Sequence, residues 1–514
     1  MRAAALLLAF AASAAATPCH VSNVLGTHMV LQRDRPANVW GYADAGVSVT
    51  VSLNGAKLPA ATADATGKWL TALPAQPATT APSTLSFSCS DGTAPADITD
   101  VLFGDVHLCS GQSNMQFTLT SNAGVPNATA EIALANSYPH IRVFTVGEGT
   151  SSTTPLTELK TIAQNWSVAS NTSIGGPGWA YMSAVCWFTF RDVYDALGGS
   201  VPQGLISTNW GGTPIQHWSS PDSLKTCNGG TDSTLWNAMV VPYVSGPMAV
   251  RTAVWYQGEA NVGQASYYDC QFTAMIADWR KNLPGLGTFG FVQIAAYTGY
   301  SGFSGADLRQ AQLAPIAALP KVAFATCNDL VVPFSAPGDI HPVAKQPVSQ
   351  RLANQILTLE YGKDAPSQTP LYAGATAASN GALITVTVSL TGCVGGCAIT
   401  APYFVPPGVT AAQAAGFLIQ TDDPAKTWWN ASATPSADGS SLILSVEAPA
   451  AGFNAIASAY GRATWPITMA FNAIGLPVVP WCFTLSGLPC YNASDISTSG
   501  VISSGPEAAR FMGS

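Results

Sequence analysis

Ser113 stands in Gly111-Gln112-Ser113-Asn114-Met115, directly after the apolar run Val101 to Cys109. A serine placed where a buried strand ends in a tight turn is held at the rim of a sheet, where its hydroxyl can act as a nucleophile. The same residues are also ordinary turn chemistry, so partners elsewhere in the chain have to decide. Acyl transfer by serine needs a base to take its proton, a group to orient that base, and donors for the developing oxyanion.

Six histidines can supply the base. His20 and His28 lie in an N-terminal β pattern, His107 is inside a strand-like run and His140 follows Pro139 in a turn, so these four read as structural. His217 is a loop residue close to Gly211-Gly212, which suits a substrate-side or supporting group. His341, in Gly338-Asp339-Ile340-His341-Pro342, lies between the last strand pattern and the last helix pattern, so its loop can return the imidazole to the sheet edge. Asp339, two residues earlier, can bond the other ring nitrogen and fix the tautomer. Oxyanion donors are expected from Gly211 or Gly212 in Asn209-Trp210-Gly211-Gly212-Thr213-Pro214, and from the Asn261 side chain in Trp255-Tyr256-Gln257-Gly258-Glu259-Ala260-Asn261. Gln112, Asn114, Trp210 and Gln257 are candidates for substrate contact or support, and Glu259 suits a loop tie better than acid chemistry.

These residues fall after successive strand-like runs: Val101 to Cys109, Gly204 to Ser207, Thr252 to Tyr256 and Lys321 to Thr326, with further runs at Ile141 to Val146 and Phe289 to Ala296. Helical patterns alternate with them at Met182 to Leu197, Ser266 to Leu283, Leu308 to Leu319 and Val343 to Tyr361. That alternation predicts an α/β fold, a central parallel sheet with helices on both faces and active residues at the C-terminal edge of its strands. Short alternating runs and turn residues predict an N-terminal β module over 19–100. The α/β part then spans 101–362, a second β-rich region covers 363–496, and 497–514 is a loose polar tail.

Residues 1–16 have one arginine, an apolar run and small residues, the layout of a cleavable secretory signal too short to span a bilayer. Export fits the glycosylation acceptors at Asn127, Asn165, Asn171, Asn430 and Asn492. Eleven cysteines without zinc spacing read as disulfides, with Cys393–Cys397 and Cys482–Cys490 as local pairs and Cys109 as the odd thiol. A net charge of -8 with no basic run argues against nucleic acid or an anionic membrane as partner.

Taken together, Ser113 in Gly-Gln-Ser-Asn-Met, the Trp-Gly-Gly-Thr-Pro loop, Trp-Tyr-Gln-Gly-Glu-Ala-Asn and Asp-Ile-His-Pro resemble the sialate O-acetylesterase family of SGNH-type hydrolases. Upstream, Met29 to Arg33, Val39-Trp40-Gly41, Gly67-Lys68-Trp69 and Gly104-Asp105-Val106 extend the resemblance over about 26–352. It implies Ser113 as nucleophile, His341 as base, Asp339 as its partner, and an oxyanion hole of Ser113, Gly211 or Gly212, and Asn261. In the broader SGNH pattern the aspartate precedes histidine by three residues rather than two, which keeps Asp329 open. The implied activity is removal of O-acetyl groups from sugars, sialic acids first, by an exported or lysosome-like enzyme that needs no cofactor. An acetylxylan or other polysaccharide acetylesterase and a catalytically silent carbohydrate-binding protein are the alternatives.

Overall fold

The computed structural model describes residues 17–122, 124–330, 340–401, 416–463 and 465–493; the expected signal segment, the expected loose tail and Asp339 lie outside them. Its largest element is a mixed sheet of twelve strands. The strand Ile98–Gly111 runs through the middle, with Gln203–Asn209 parallel on one side and Thr252–Tyr256 parallel on the other. Parallel ladders continue outward to Ile141–Val146 on the first side, and to Thr288–Val292 and Val322–Ala325 on the second. Antiparallel pairings join at the edge, where Ile162–Val168 meets Ile141–Val146, and along the first part of the middle strand.

The parallel strands Ile141–Val146, Gln203–Asn209, Thr252–Tyr256 and Thr288–Val292 are buried along their whole length, as strands covered on both faces must be. Alternate residues serve different cores. Phe144, Ile206, Trp255 and Phe291 share a core with Tyr268, Phe272 and Trp279 of the helix Ala265–Asn282. Val143, Leu205, Val254 and Val292 share the other with the helices Ala184–Ala196 and Lys345–Tyr361.

The middle strand is also where the N-terminal β structure attaches. Its early residues pair with Thr79–Cys89 and Val30–Gln32, while His20–Val21, Ala37–Tyr42 and Lys68–Leu73 form a separate three-stranded sheet. Residue 100 therefore lies inside one continuous strand. The last part of the chain forms smaller antiparallel sheets around a core of its own that includes Ile384, Val386, Ile419, Leu444 and Trp481.

Two expectations need correction. The helix expected over Leu308 to Leu319 is two helices, Ser304–Ala311 and Ala314–Ala318, because Pro315 has no N–H to continue the first and sits well at the start of the second. Cys109 is not the odd thiol: it bonds Cys186 at a Cα separation of 5.9 Å, fastening the middle strand to the helix over it. Cys327 is the free, buried cysteine. The other bridges are Cys19–Cys89, Cys227–Cys270, Cys393–Cys397 and Cys482–Cys490, a set that fits an oxidising compartment. Among the described residues no helix is long and apolar enough to cross a membrane.

Candidate active site

The middle strand ends at Gly111, paired in register with Asn209 and Tyr256. Its φ is +143°, and a Cβ there would lie 2.2 Å from the Tyr256 carbonyl oxygen, so only glycine fits between the neighbouring strands. The Gln112 N–H donates to that carbonyl at 3.0 Å, and the chain then turns into the single helical turn Ser113–Gln116. Ser113 is thus lifted above the sheet edge by the strand end and the turn that follows it.

His341 reaches the same place from the other direction. Its Nε2 lies 2.8 Å from Ser113 Oγ. Burial holds the imidazole's pKa down at about 4, with nearby Lys345 adding to the effect, so the ring is neutral at physiological pH. Asp339 lies outside the described residues. The Asp329 carboxylate accepts two bonds from the planar fork of Arg351, at 2.7 and 2.6 Å.

Asn114 is completely buried and joins three segments. Its amide donates to Glu259 at 2.6 Å and to the Ile340 carbonyl at 2.7 Å, while its oxygen accepts from Lys345 at 2.5 Å. Glu259 is a buried loop tie, with its carboxyl pKa raised by burial. Lys345 is likewise fully buried, its Nζ between the rings of Phe117 and Tyr256 at 4.8 and 5.1 Å, and burial lowers its pKa to about 7. Sequence reasoning missed Lys345. A lysine opening a helix has the wrong sign for the helix dipole, and that mismatch was the available signal.

Gly211 packs directly on the serine, where an added Cβ would lie 3.4 Å from Ser113 Cβ. Its N–H donates to Gln116 Oε1 at 3.1 Å and, more weakly, to Glu148 Oε1 at 3.4 Å. An acyl oxygen bound there would take the place of those side-chain oxygens. Gly212, with φ +73°, turns the loop outward. Asn261 is fully buried, and its amide donates to Gln216 and Gln264 at 2.9 and 3.0 Å. Its oxygen accepts from the Ile215 N–H and from Gln257, so Asn261 joins two loops next to the serine turn.

The remaining candidates sort by their partners. Gln112 accepts from the Gly258 and Ala260 N–H groups, binding the serine turn to the Glu259 loop. Gln257 is buried and donates to Thr213 O and Asn261. Trp210 is half-buried on the first core, and His217 pairs with Asp232 at 2.9 Å. His20, His28, His107 and His140 bond Pro18, Asp100, Gln203 and Tyr194 respectively, away from Ser113. Three groups at the site had escaped sequence reasoning besides Lys345: Gln116, Glu148 and Trp179. The Trp179 ring is half-buried, 5.3 Å edge-to-face from both His341 and Phe117.

Residues 103–358 match the family model for carbohydrate esterase, sialic acid-specific acetylesterase. The chain is 33% identical to a sialate O-acetylesterase of Pongo abelii over 382 residues, covering 66% of this chain and 71% of that protein. It is 31% identical to the sialate O-acetylesterase of Rattus norvegicus, covering 71% and 78%. Among solved structures, a carbohydrate acetylesterase from Xanthomonas citri superimposes with a TM-score of 0.75 at 28% identity, covering 91% of this chain and 99% of that one. The chain is a carbohydrate esterase and belongs to the sialate O-acetylesterase family.

Proposed function

We propose that the protein removes O-acetyl groups from sugars through an acetyl-serine intermediate, as an exported enzyme of SGNH type whose chemistry lies in residues 101–362. The observation that carries the reading is the 2.8 Å contact between Ser113 Oγ and a neutral His341 Nε2 at the sheet edge. Ser113 attacks the acetyl carbonyl carbon while its proton passes to His341 Nε2. The oxyanion is met by the Ser113 and Gly211 N–H groups. The bond to the sugar oxygen breaks as His341 protonates that oxygen, and Asp339 steadies the imidazolium. Water then attacks the acetyl-serine, gives a proton to His341 and releases acetate, and Ser113 Oγ recovers its proton. The signal segment 1–16 and the disulfides support export, and the β regions 19–100 and 363–496 flank the catalytic part.

The names of the relatives make O-acetylated sialic acid the first substrate reading. A second, an acetyl ester on an uncharged polysaccharide such as xylan, is favoured by Glu148, whose carboxylate touches the Gly211 N–H. Acetate release from acetylated sugars by the purified protein tests the activity. Ser113→Ala should abolish it, and a variant as active as the wild type would refute the nucleophile and revive a carbohydrate-binding role.

A further inference from the structure

The seam between the α/β part and the last β region holds two adjoining clefts that acyl transfer does not use. One, of about 300 Å³, lies between the helices Ser304–Ala311 and Ala314–Ala318 and the strands Leu371–Asn380 and Trp481–Thr484. The other, of about 320 Å³, continues past Ile316, which lines both, toward the end of the helix Lys345–Tyr361. None of the lining residues belongs to the Ser113 site.

The first cleft is aromatic, and its rings are fixed in advance. Tyr372 stacks on Phe483 with ring centroids 4.4 Å apart, and both side chains are half-buried. Tyr491 donates to Asp269 at 3.3 Å, which ties its ring to the helix Ala265–Asn282. The disulfide Cys482–Cys490 joins the residues just before Phe483 and Tyr491, so the segments carrying these rings cannot part. Rings held this way lose little freedom when a ligand arrives. Two buried atoms on residues lining this cleft have no hydrogen-bond partner among the described residues: Tyr372 Oη and Gln310 Oε1, the latter on a residue only 9% exposed. A buried acceptor left unpaired is costly, and a ligand hydroxyl would satisfy it.

The lining decides among ligands. The second cleft adds the amide of Gln355 and the hydroxyls of Ser367, Thr369 and Thr391, and neither cleft is lined by a lysine or arginine that could hold an anion. A lipid chain would leave the polar atoms unpaired. A peptide strand adding to the sheet edge is blocked, because the Phe324 N–H of the edge strand Val322–Ala325 is already given to Gln355 at 2.8 Å. A sugar chain meets both demands: its C–H faces pack on aromatic rings and its hydroxyls donate to buried acceptors. Two clefts in line suit linked rings rather than one.

We infer that this seam is an accessory binding site for an uncharged oligosaccharide, packed against Tyr491 and the Tyr372–Phe483 pair and hydrogen-bonded by Gln310. It makes no demand on the charge of the esterified sugar at Ser113. The inference rests on the carbohydrate esterase assignment and not on the acetyl-serine mechanism.

The test is calorimetric titration of the full-length Ser113→Ala protein with xylohexaose, chitohexaose and lacto-N-neotetraose, none of which carries a charge or an acetyl ester. At least one should bind with a Kd below about 1 mM. With that sugar, hydrogen-exchange mass spectrometry should show protection in peptides covering 304–318, 371–380 and 481–493. In the same background Tyr491→Ala should weaken binding about tenfold, and Tyr491→Phe, which keeps the ring, should recover most of it. Gln310→Met keeps the bulk, removes the acceptor and should weaken binding roughly threefold to tenfold. If Tyr491→Ala fails to fold, Gln310→Met and the exchange map decide. Binding by none of the three sugars, protection confined to peptides around Ser113 and His341, or an affinity unmoved by Gln310→Met and Tyr491→Ala would overturn the site. Failure of the acetyl-serine reading would leave these results unchanged, because no turnover is involved.

Discussion

Ser113 and His341 meet at 2.8 Å, yet they are held by different physics. The serine is delivered by a strand paired on both sides, closed by a glycine that leaves no room for a side chain, and fastened beneath by Cys109–Cys186. The histidine comes from a loop and is held from behind by polar side chains, with Asn114 on the Ile340 carbonyl and Lys345 on Asn114. A nucleophile set by backbone is insensitive to its neighbours' charges. A base set by buried polar groups has its proton affinity tuned by them.

Mutations should separate these two modes. The largest effect is Ser113→Ala, which should lower kcat on p-nitrophenyl acetate by on the order of 10^4-fold or more while leaving the melting temperature near wild type. Gly111→Ala should act on structure instead: a Cβ 2.2 Å from Tyr256 O forces the strands apart, costing about 3 kcal/mol or more in denaturant unfolding. If that variant kept both stability and rate, the backbone account of the serine end would be wrong.

On the histidine side, Asp339→Asn should lower kcat by about 10^2–10^4-fold, in line with loss of the orienting carboxylate. Asp329→Asn should cost about tenfold or less in rate, but about 1–3 kcal/mol in stability, because Arg351 loses its bidentate partner. The reverse ranking would move the partner role to Asp329. The smallest effect is expected for Lys345→Met, read as a pH profile. His341 must be neutral to accept the serine proton, so kcat/KM rises with pH through its pKa of about 4. Lys345 helps to hold that value down, so its removal should move the acidic limb to higher pH with little change in the plateau. An unmoved limb would show that Lys345 does not tune the base.

How much of this was legible in the sequence follows the same division. Strand-length apolar runs and the motifs after them located Ser113, Gly211 and His341, because backbone-determined features leave local marks such as glycines and turns. The Asn114–Glu259–Lys345 cluster was only partly visible: Asn114 and Glu259 sit within motifs, while Lys345 looks like any helix lysine until the fold buries it. For Asn261 a motif marks the asparagine as a donor, and tertiary packing adds its bonds to Gln216 and Gln264. Glu148 and Trp179 belong to no local pattern, since they reach the site from loops far apart in sequence, Glu148 at the Gly211 N–H and Trp179 against His341. Cys109 was misassigned because apolar surroundings suit a disulfide as well as a thiol.

The central claim is that Ser113 carries the acetyl group between sugar and water. The most direct measurement is a rapid-mixing experiment with p-nitrophenyl acetate, quenched in acid during the first turnover and followed by mass analysis of the peptide containing Ser113. A burst of p-nitrophenol approaching one equivalent of enzyme, with an acetyl group on Ser113 that disappears as turnover ends, is the predicted result. Steady hydrolysis with no adduct in the wild type, or an adduct on another residue that persists in Ser113→Ala, would contradict it.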